Sequence, residues 1–218
     1  MGTNCIALKP FLMAVAGVLA LEGGAWALVS AAGSLAAATT LAVLGLLRIG
    51  QAGWLLMIFG RREAGWWQLG LSRVRLAGGL RQGVLWAAGL GAAAMAAGAL
   101  MAGAGVSPWR YFQLNLPAGG AGLLLYFGVG GIVAPAAEEL FFRGVLYGFF
   151  RRWGWPAALA ISTACFVLAH GWPQNPPIAQ VVGGIVFAAA YETSGSLVAP
   201  MVVHILGNLA IFLIALLV

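Results

Sequence analysis

The chain has 218 residues, 62% hydrophobic and 7% charged, with a mean hydropathy of +0.99. A soluble domain carries about 25% charged residues, so there are too few polar side chains here to cover a surface facing water, and the unbroken apolar runs exclude the alternating strands of a β-barrel. The net charge of +6 sits on arginines flanking apolar runs, where they anchor topology, so no nucleic-acid partner is expected.

These features predict an all-α, polytopic helical membrane protein of about seven transmembrane helices, forming a single domain over residues 1–218. Phe11–Ala32 is the first expected span and carries Glu22; it lacks a cleavage site and is too long for a signal-peptide core. Met1-Gly2 does not complete a myristoylation signal, because Ile6 stands where Ser or Thr is needed. Gly33-Ser34 breaks the chain. Ala36–Phe59 is the second span, with Arg48 near its middle. Pairing of Arg48 with Glu22 would reduce the cost of holding both in lipid.

Gly60–Gln82 is the one long polar stretch, with Arg61, Arg62, Glu63, Arg73, Arg75 and Arg81 beside Trp66 and Trp67. It reads as a cytoplasmic loop with a segment lying at the lipid headgroups. Gly83–Ala104, rich in Ala and Gly, is the third span and suits close helix packing. Val106–Ala118 forms a loop on the opposite side, with Arg110. Gly119–Phe150 is too long for a simple crossing, and Pro135 is expected to kink or restart it. A restart would place Glu138 and Glu139 near exposed N–H groups. Arg151–Pro156 is an interfacial turn. Ala157–His170, Pro177–Tyr191 and Leu197–Val218 are the last three runs, separated by Gly171-Trp172-Pro173 and Glu192–Ser196. With the N-terminus inside, Lys9, the arginine-rich loop and Arg151-Arg152 fall in the cytoplasm, and Arg110 falls outside.

Chemistry concentrates in the late spans. The five acidic residues are all Glu, so an aspartyl protease is excluded, and no His-Glu-x-x-His run exists. Cys5 and Cys165 match no metal spacing. Glu139 and Arg143 are four apart in the favourable orientation and read as a self-neutralising pair. Glu138 lies about 100° around the helix. It stands sixteen residues before Gly154 and His170 sixteen after, so an antiparallel hairpin brings the two to one depth. A buried Glu beside a His can hold a water and accept its proton. His204 and Asn208 share a face and can donate to an oxyanion. Alternatively, Glu138, His170 and His204 are three ligands of zinc or another divalent metal with an open water position. Spacing alone is compatible with both.

In order, Glu138-Glu139-x-x-x-Arg143, Phe166-x-x-x-His170 and His204-x-x-x-Asn208 resemble the three motifs of the CAAX prenyl protease type II and bacteriocin-processing (CPBP, Abi-like) family. The flanking Phe141-Phe142-Arg143-Gly144 and Ser194-Gly195-Ser196-Leu197-Val198-Ala199-Pro200 look similar too. The resemblance covers a catalytic core of residues 133–209. It implies an intramembrane endopeptidase of glutamic type, often labelled a metalloprotease, in which Glu138 and His170 activate water, His204 and Asn208 stabilise the oxyanion, and Glu139 and Arg143 support the site. Phe166, one turn before His170, is expected to pack against its ring. No cofactor is expected on this reading. Family substrates include prenylated C-termini, leader peptides and hydrophobic sorting tails; some members act as regulators or immunity proteins, which is the alternative function here.

Topology narrows the substrate. Glu138 lies thirteen residues from Arg151, about 20 Å of helix rise and past the midplane of a core about 30 Å thick. A site opening toward the outer half favours a C-terminal sorting helix of an exported protein over a cytosolic tail. The expected location is the bacterial inner (cytoplasmic) membrane, with membrane lipid as surroundings. Two other readings compete: a serine-type protease using Ser194 or Ser196 with His204, which lacks the Gly-x-Ser-Gly nucleophile pattern, and a proton-relaying transporter using Glu22, Arg48 and the carboxylate pair Glu138 and Glu139, which lacks an inverted repeat.

Overall fold

Arginine and alanine favour helix, and continuous apolar runs in lipid leave the backbone no other way to satisfy its polar groups. The computed structural model describes residues 6–33, 35–62, 64–111, 114–171 and 177–217. Cys5, Ser34, Glu63, Trp172 and Pro173 lie outside the described residues, as does the side chain of Arg110. No strand occurs among the described residues. The helices are α1 (Leu8–Ala32), α2 (Ala37–Gly60), a short α3 (Gly65–Gln68), α4 (Arg73–Gly103), α5 (Gly120–Trp153), α6 (Trp155–Ala169), α7 (Ile178–Ser194) and α8 (Val198–Leu217).

Five of them, α1, α2, α4 (with α3), α5 and α8, are long and apolar enough to cross a membrane. α6 and α7 have 15 and 17 residues, a rise of about 22 and 25 Å, shorter than a full hydrocarbon core. The outside is apolar: Trp26, Met95, Leu100 and Leu124 are each more than 70% exposed, a surface that only lipid would cover without penalty.

α5 is the central element and packs against α2, α6, α7 and α8. Two expectations about the middle of the chain need correction. The third span starts at Arg73, ten residues before the expected Gly83, so Arg73, Arg75 and Arg81 lie on its first turns rather than in a loop. Arg is a good helix former, and Ser72 supplies an extended residue at the N-cap. Arg75 is fastened, donating to Gly195 O at 2.9 Å and stacking over Trp67.

Nor does α5 restart at Pro135. Tyr126–Val133 and Leu140–Tyr147 are π-helical on either side of the α-helical Ala134–Glu139. The Ala134 N–H reaches back five residues to Val129 O, and Val133 and Ala134 keep helical dihedrals. The wider π turns absorb the missing donor and the ring of the proline. Glu138 and Glu139 are therefore mid-helix, not at an N-terminus.

Close backbone approach holds α8 in place. A Cβ on Gly83 would lie 2.7 Å from Val202 Cβ and 2.8 Å from Ala199 O; one on Gly131 would lie 2.6 Å from Leu209. α4 and α5 thus grip α8 from two sides. Arg151 clamps Glu192 through Nε and Nη2, and Tyr147 donates to the same carboxylate at 2.7 Å, tying the α5–α6 turn to the end of α7.

Gly83→Leu forces α4 off α8. It is expected to destabilise the fold by about 1–3 kcal/mol, read as a lower thermal unfolding midpoint in detergent micelles. Gly89→Leu, where no atom lies within 4 Å of the added Cβ, should leave the midpoint unchanged.

Candidate active site

Construction starts at Glu139, which is fully buried. Its Oε1 accepts from Arg143 Nη1 at 3.0 Å and meets His204 Nδ1 at 2.8 Å. Arg143 is also fully buried. Its Nη2 donates to Gly184 O of α7 at 3.1 Å, and its guanidinium lies over the rings of Phe166 and Phe187, 4.7 and 5.2 Å from their centroids. A buried ion pair persists only when its remaining hydrogen bonds are largely met. Here α7 and α8 supply hydrogen-bond partners and α6 and α7 supply ring faces, while Glu139 Oε2 and Arg143 Nε are left without a hydrogen bond.

Glu138 projects to the neighbouring face, 14% exposed. Its Oε2 lies 3.8 Å from His170 Nε2 and 4.0 Å from His204 Nε2; its Oε1 lies 3.9 Å from Arg48 Nε. None of these is a direct hydrogen bond. Each gap suits a group bonded to both sides.

The partners assign the tautomers. His170 Nδ1 sits 2.8 Å from Phe166 O. A carbonyl oxygen only accepts, so Nδ1 carries the hydrogen and the Nε2 of a neutral ring presents a lone pair. His204 Nδ1 likewise faces the carboxylate already paired with Arg143. Both imidazoles therefore aim Nε2 at Glu138. Aromatic packing fixes the rings: Phe166 lies 4.4 Å from His170, and Phe187 stacks on His204 at 4.4 Å and 20°.

Asn208 sits on the same face of α8 as His204, but its Nδ2 donates to Gly130 O at 3.0 Å. One of its two N–H groups is thus committed to the α5 backbone and one is left. Ser194 and Ser196 spend their hydroxyls on the α7–α8 turn, where Ser194 Oγ donates to Ala190 O at 2.6 Å and Ser196 Oγ accepts from the Val198 N–H at 3.4 Å. Among the described residues, no group of three or more His, Cys, Asp or Glu is arranged to hold a metal ion.

The Glu22–Arg48 pair forms as its position suggested, through Arg48 Nη1 and Glu22 Oε1. Gln51 joins it, accepting from Arg48 Nη1 at 2.7 Å and donating to Glu22 Oε1 at 3.0 Å. The approach of Arg48 to Glu138 was not foreseen. Charge counting pairs Arg143 with Glu139 and Arg48 with Glu22, and so assigns Glu138 no cation. Phe187 and the carbonyls of Gly130 and Gly184 left no sequence signal, since nothing in their local pattern separates them from other helix residues.

Comparison with known families places a match on this part of the chain. Residues 120–210 match the family model described as Rce1-like, type II CAAX prenyl endopeptidase Rce1-like. The matched segment contains Glu138, Glu139, Arg143, Phe166, His170, His204 and Asn208, and excludes Arg48 and Gln51. No curated protein and no solved structure matches the chain.

Arg143→Met strips Glu139 of its guanidinium partner and is expected to cost about 3–5 kcal/mol of stability. Adding Glu139→Gln should recover most of the loss. Chemical denaturation in micelles, followed by intrinsic Trp fluorescence, reads both.

Proposed function

Because residues 120–210 match the family model described as Rce1-like, type II CAAX prenyl endopeptidase Rce1-like, we propose that this integral membrane protein is an endopeptidase of glutamic type. It hydrolyses a peptide bond near the terminus of a membrane-associated protein or peptide. The observation that carries the reading is the placing of Glu138 Oε2 against the Nε2 atoms of His170 and His204, at 3.8 and 4.0 Å.

The Glu138 carboxylate and the Nε2 lone pair of a neutral His170 are two acceptors with no donor between them. A water supplies the donors: it gives one hydrogen to Glu138 and the other to an imidazole, and its oxygen is left to attack. Glu138 takes the proton as the water oxygen bonds to the carbonyl carbon. It returns that proton to the amide nitrogen as the C–N bond breaks. The second N–H of Asn208 is the donor available to the oxyanion. His204 joins it in the imidazolium form, for which Glu139 is the counter-charge. Glu139 and Arg143 orient His204, and Phe166 orients His170. No metal takes part in this scheme. A divalent ion such as zinc would use Glu138, His170 and His204.

Site depth supports the substrate class. α6 rises about 22 Å from the basic Arg151-Arg152 turn to His170. With that turn at the cytoplasmic face, His170 and Glu138 lie in the outer half of the bilayer. A C-terminal sorting helix of a protein exported across a bacterial cytoplasmic membrane reaches such a site more directly than a cytosolic prenylated tail.

Glu138→Gln keeps the shape and removes the base. In proteoliposomes, cleavage of an internally quenched farnesylated CAAX peptide or of a sorting-helix peptide is expected to fall about 1000-fold, while a chelator leaves the wild-type rate unchanged. Loss of wild-type cleavage on chelation and its return with zinc would overturn the metal-free scheme. Full activity of the glutamine variant would overturn the base.

A cysteine at position 153, where Trp153 is exposed, is expected to react with an impermeant maleimide only from the cytoplasmic side. Reaction from outside would end the outer-half reading.

A further inference from the structure

Arg48 belongs to α2, outside the segment that matches the protease family. Its Nη1 alone serves Glu22 and Gln51. Its Nε is buried and has no hydrogen-bond partner, and this free edge points to Glu138 Oε1 at 3.9 Å. Gln51, 4% exposed, closes a triangle by bonding both Arg48 and Glu22. The triangle fixes the plane of the guanidinium, and so fixes where its remaining edge looks.

The two oxygens of Glu138 therefore see different surroundings. Oε1 faces the cation from α2; Oε2 faces the imidazoles from α6 and α8. A carboxylate that rotates freely presents either oxygen to a water. One with a cation on a single side presents the other.

We infer that Arg48, braced by Glu22 and Gln51, is a positioning residue for Glu138: it holds Oε1 and leaves Oε2 to take the proton of the attacking water. The inference rests on the proposed role of Glu138 as base. It makes the first two helices part of the active site and not a passive anchor. The competing explanation is that Arg48 does no more than neutralise Glu22 within the membrane.

Two variants separate these explanations. Arg48→Met combined with Glu22→Gln removes both charges together, so no carboxylate at position 22 is stranded. Arg48→Lys keeps a charge for Glu22 but lacks a second edge for Glu138. The chain has two histidines, both facing Glu138, so a spectrum of protein labelled with 15N-histidine contains two imidazoles and no others. In both variants the Nε2 resonances are expected to move from their wild-type positions. On the farnesylated peptide, kcat is expected to fall about 100-fold with KM unchanged. Wild-type resonances and kcat in the double variant, or unmoved resonances in Arg48→Lys, would show that Arg48 serves Glu22 alone. If the wild type cleaves neither peptide, the protease reading fails, and the histidine spectra still decide the placement of Arg48.

Discussion

The carboxylate of Glu139 is fully buried in a part of the molecule where water cannot reach it, and the arrangement of the site follows from how that charge is met. Removing a carboxylate from water costs several kcal/mol, which only close partners offset. Arg143 and His204 are those partners, and each is itself pinned, Arg143 by the Gly184 carbonyl and two phenyl faces, His204 by the stacked ring of Phe187. The pair thus joins α5, α7 and α8 at one point. It also sets which nitrogen of His204 is used up, and hence which nitrogen looks toward Glu138.

Two adjacent glutamates come to do different things because a helix turns about 100° per residue. Glu139 faces the fully packed side and is consumed in structure. Glu138 faces the side where packing is incomplete, and exposure rises from His204 at 6% through Glu138 at 14% to His170 at 32%. That gradient gives the site a direction: the deep imidazole is rigid and charge-coupled, and the outer one lies where a substrate and its water would arrive. The π turns on both sides of Ala134–Glu139 widen the helix where the two side chains must diverge; such turns gather at functional sites.

Much of this was legible in the sequence, for stated reasons. Apolar runs report spans directly, because lipid tolerates few charges. The Glu139–Arg143 pair follows from helical spacing, and the common depth of Glu138 and His170 follows from counting residues either side of a turn. What stayed hidden depended on rotation and tilt. Counting places a residue along a helix axis but does not say which neighbour its side chain meets, so Phe187 over His204 and Arg48 beside Glu138 were out of reach. Pro135 misled because a proline rule written for α-helix does not foresee escape into π geometry. The early start of α4 was missed because its arginines were read as a loop at the headgroups, although Arg is a helix former.

Charge balance joins these parts. Within the spans the structure gathers Glu22, Glu138 and Glu139 against Arg48 and Arg143, three negative groups and two positive. A net charge inside a bilayer is expensive, and one further proton brings the cluster to neutrality. Glu138, His170 and His204 are the groups placed to hold it, within 4.0 Å of one another through the Glu138 carboxylate. A proton held on an imidazole leaves the Glu138 carboxylate ionised, as the proposed base requires; the proton passed to the leaving nitrogen comes from the attacking water. The same electrostatic constraint that lets these charges exist in lipid thus places one proton beside the carboxylate proposed as base. It also explains why a residue as remote in sequence as Arg48 bears on that proton.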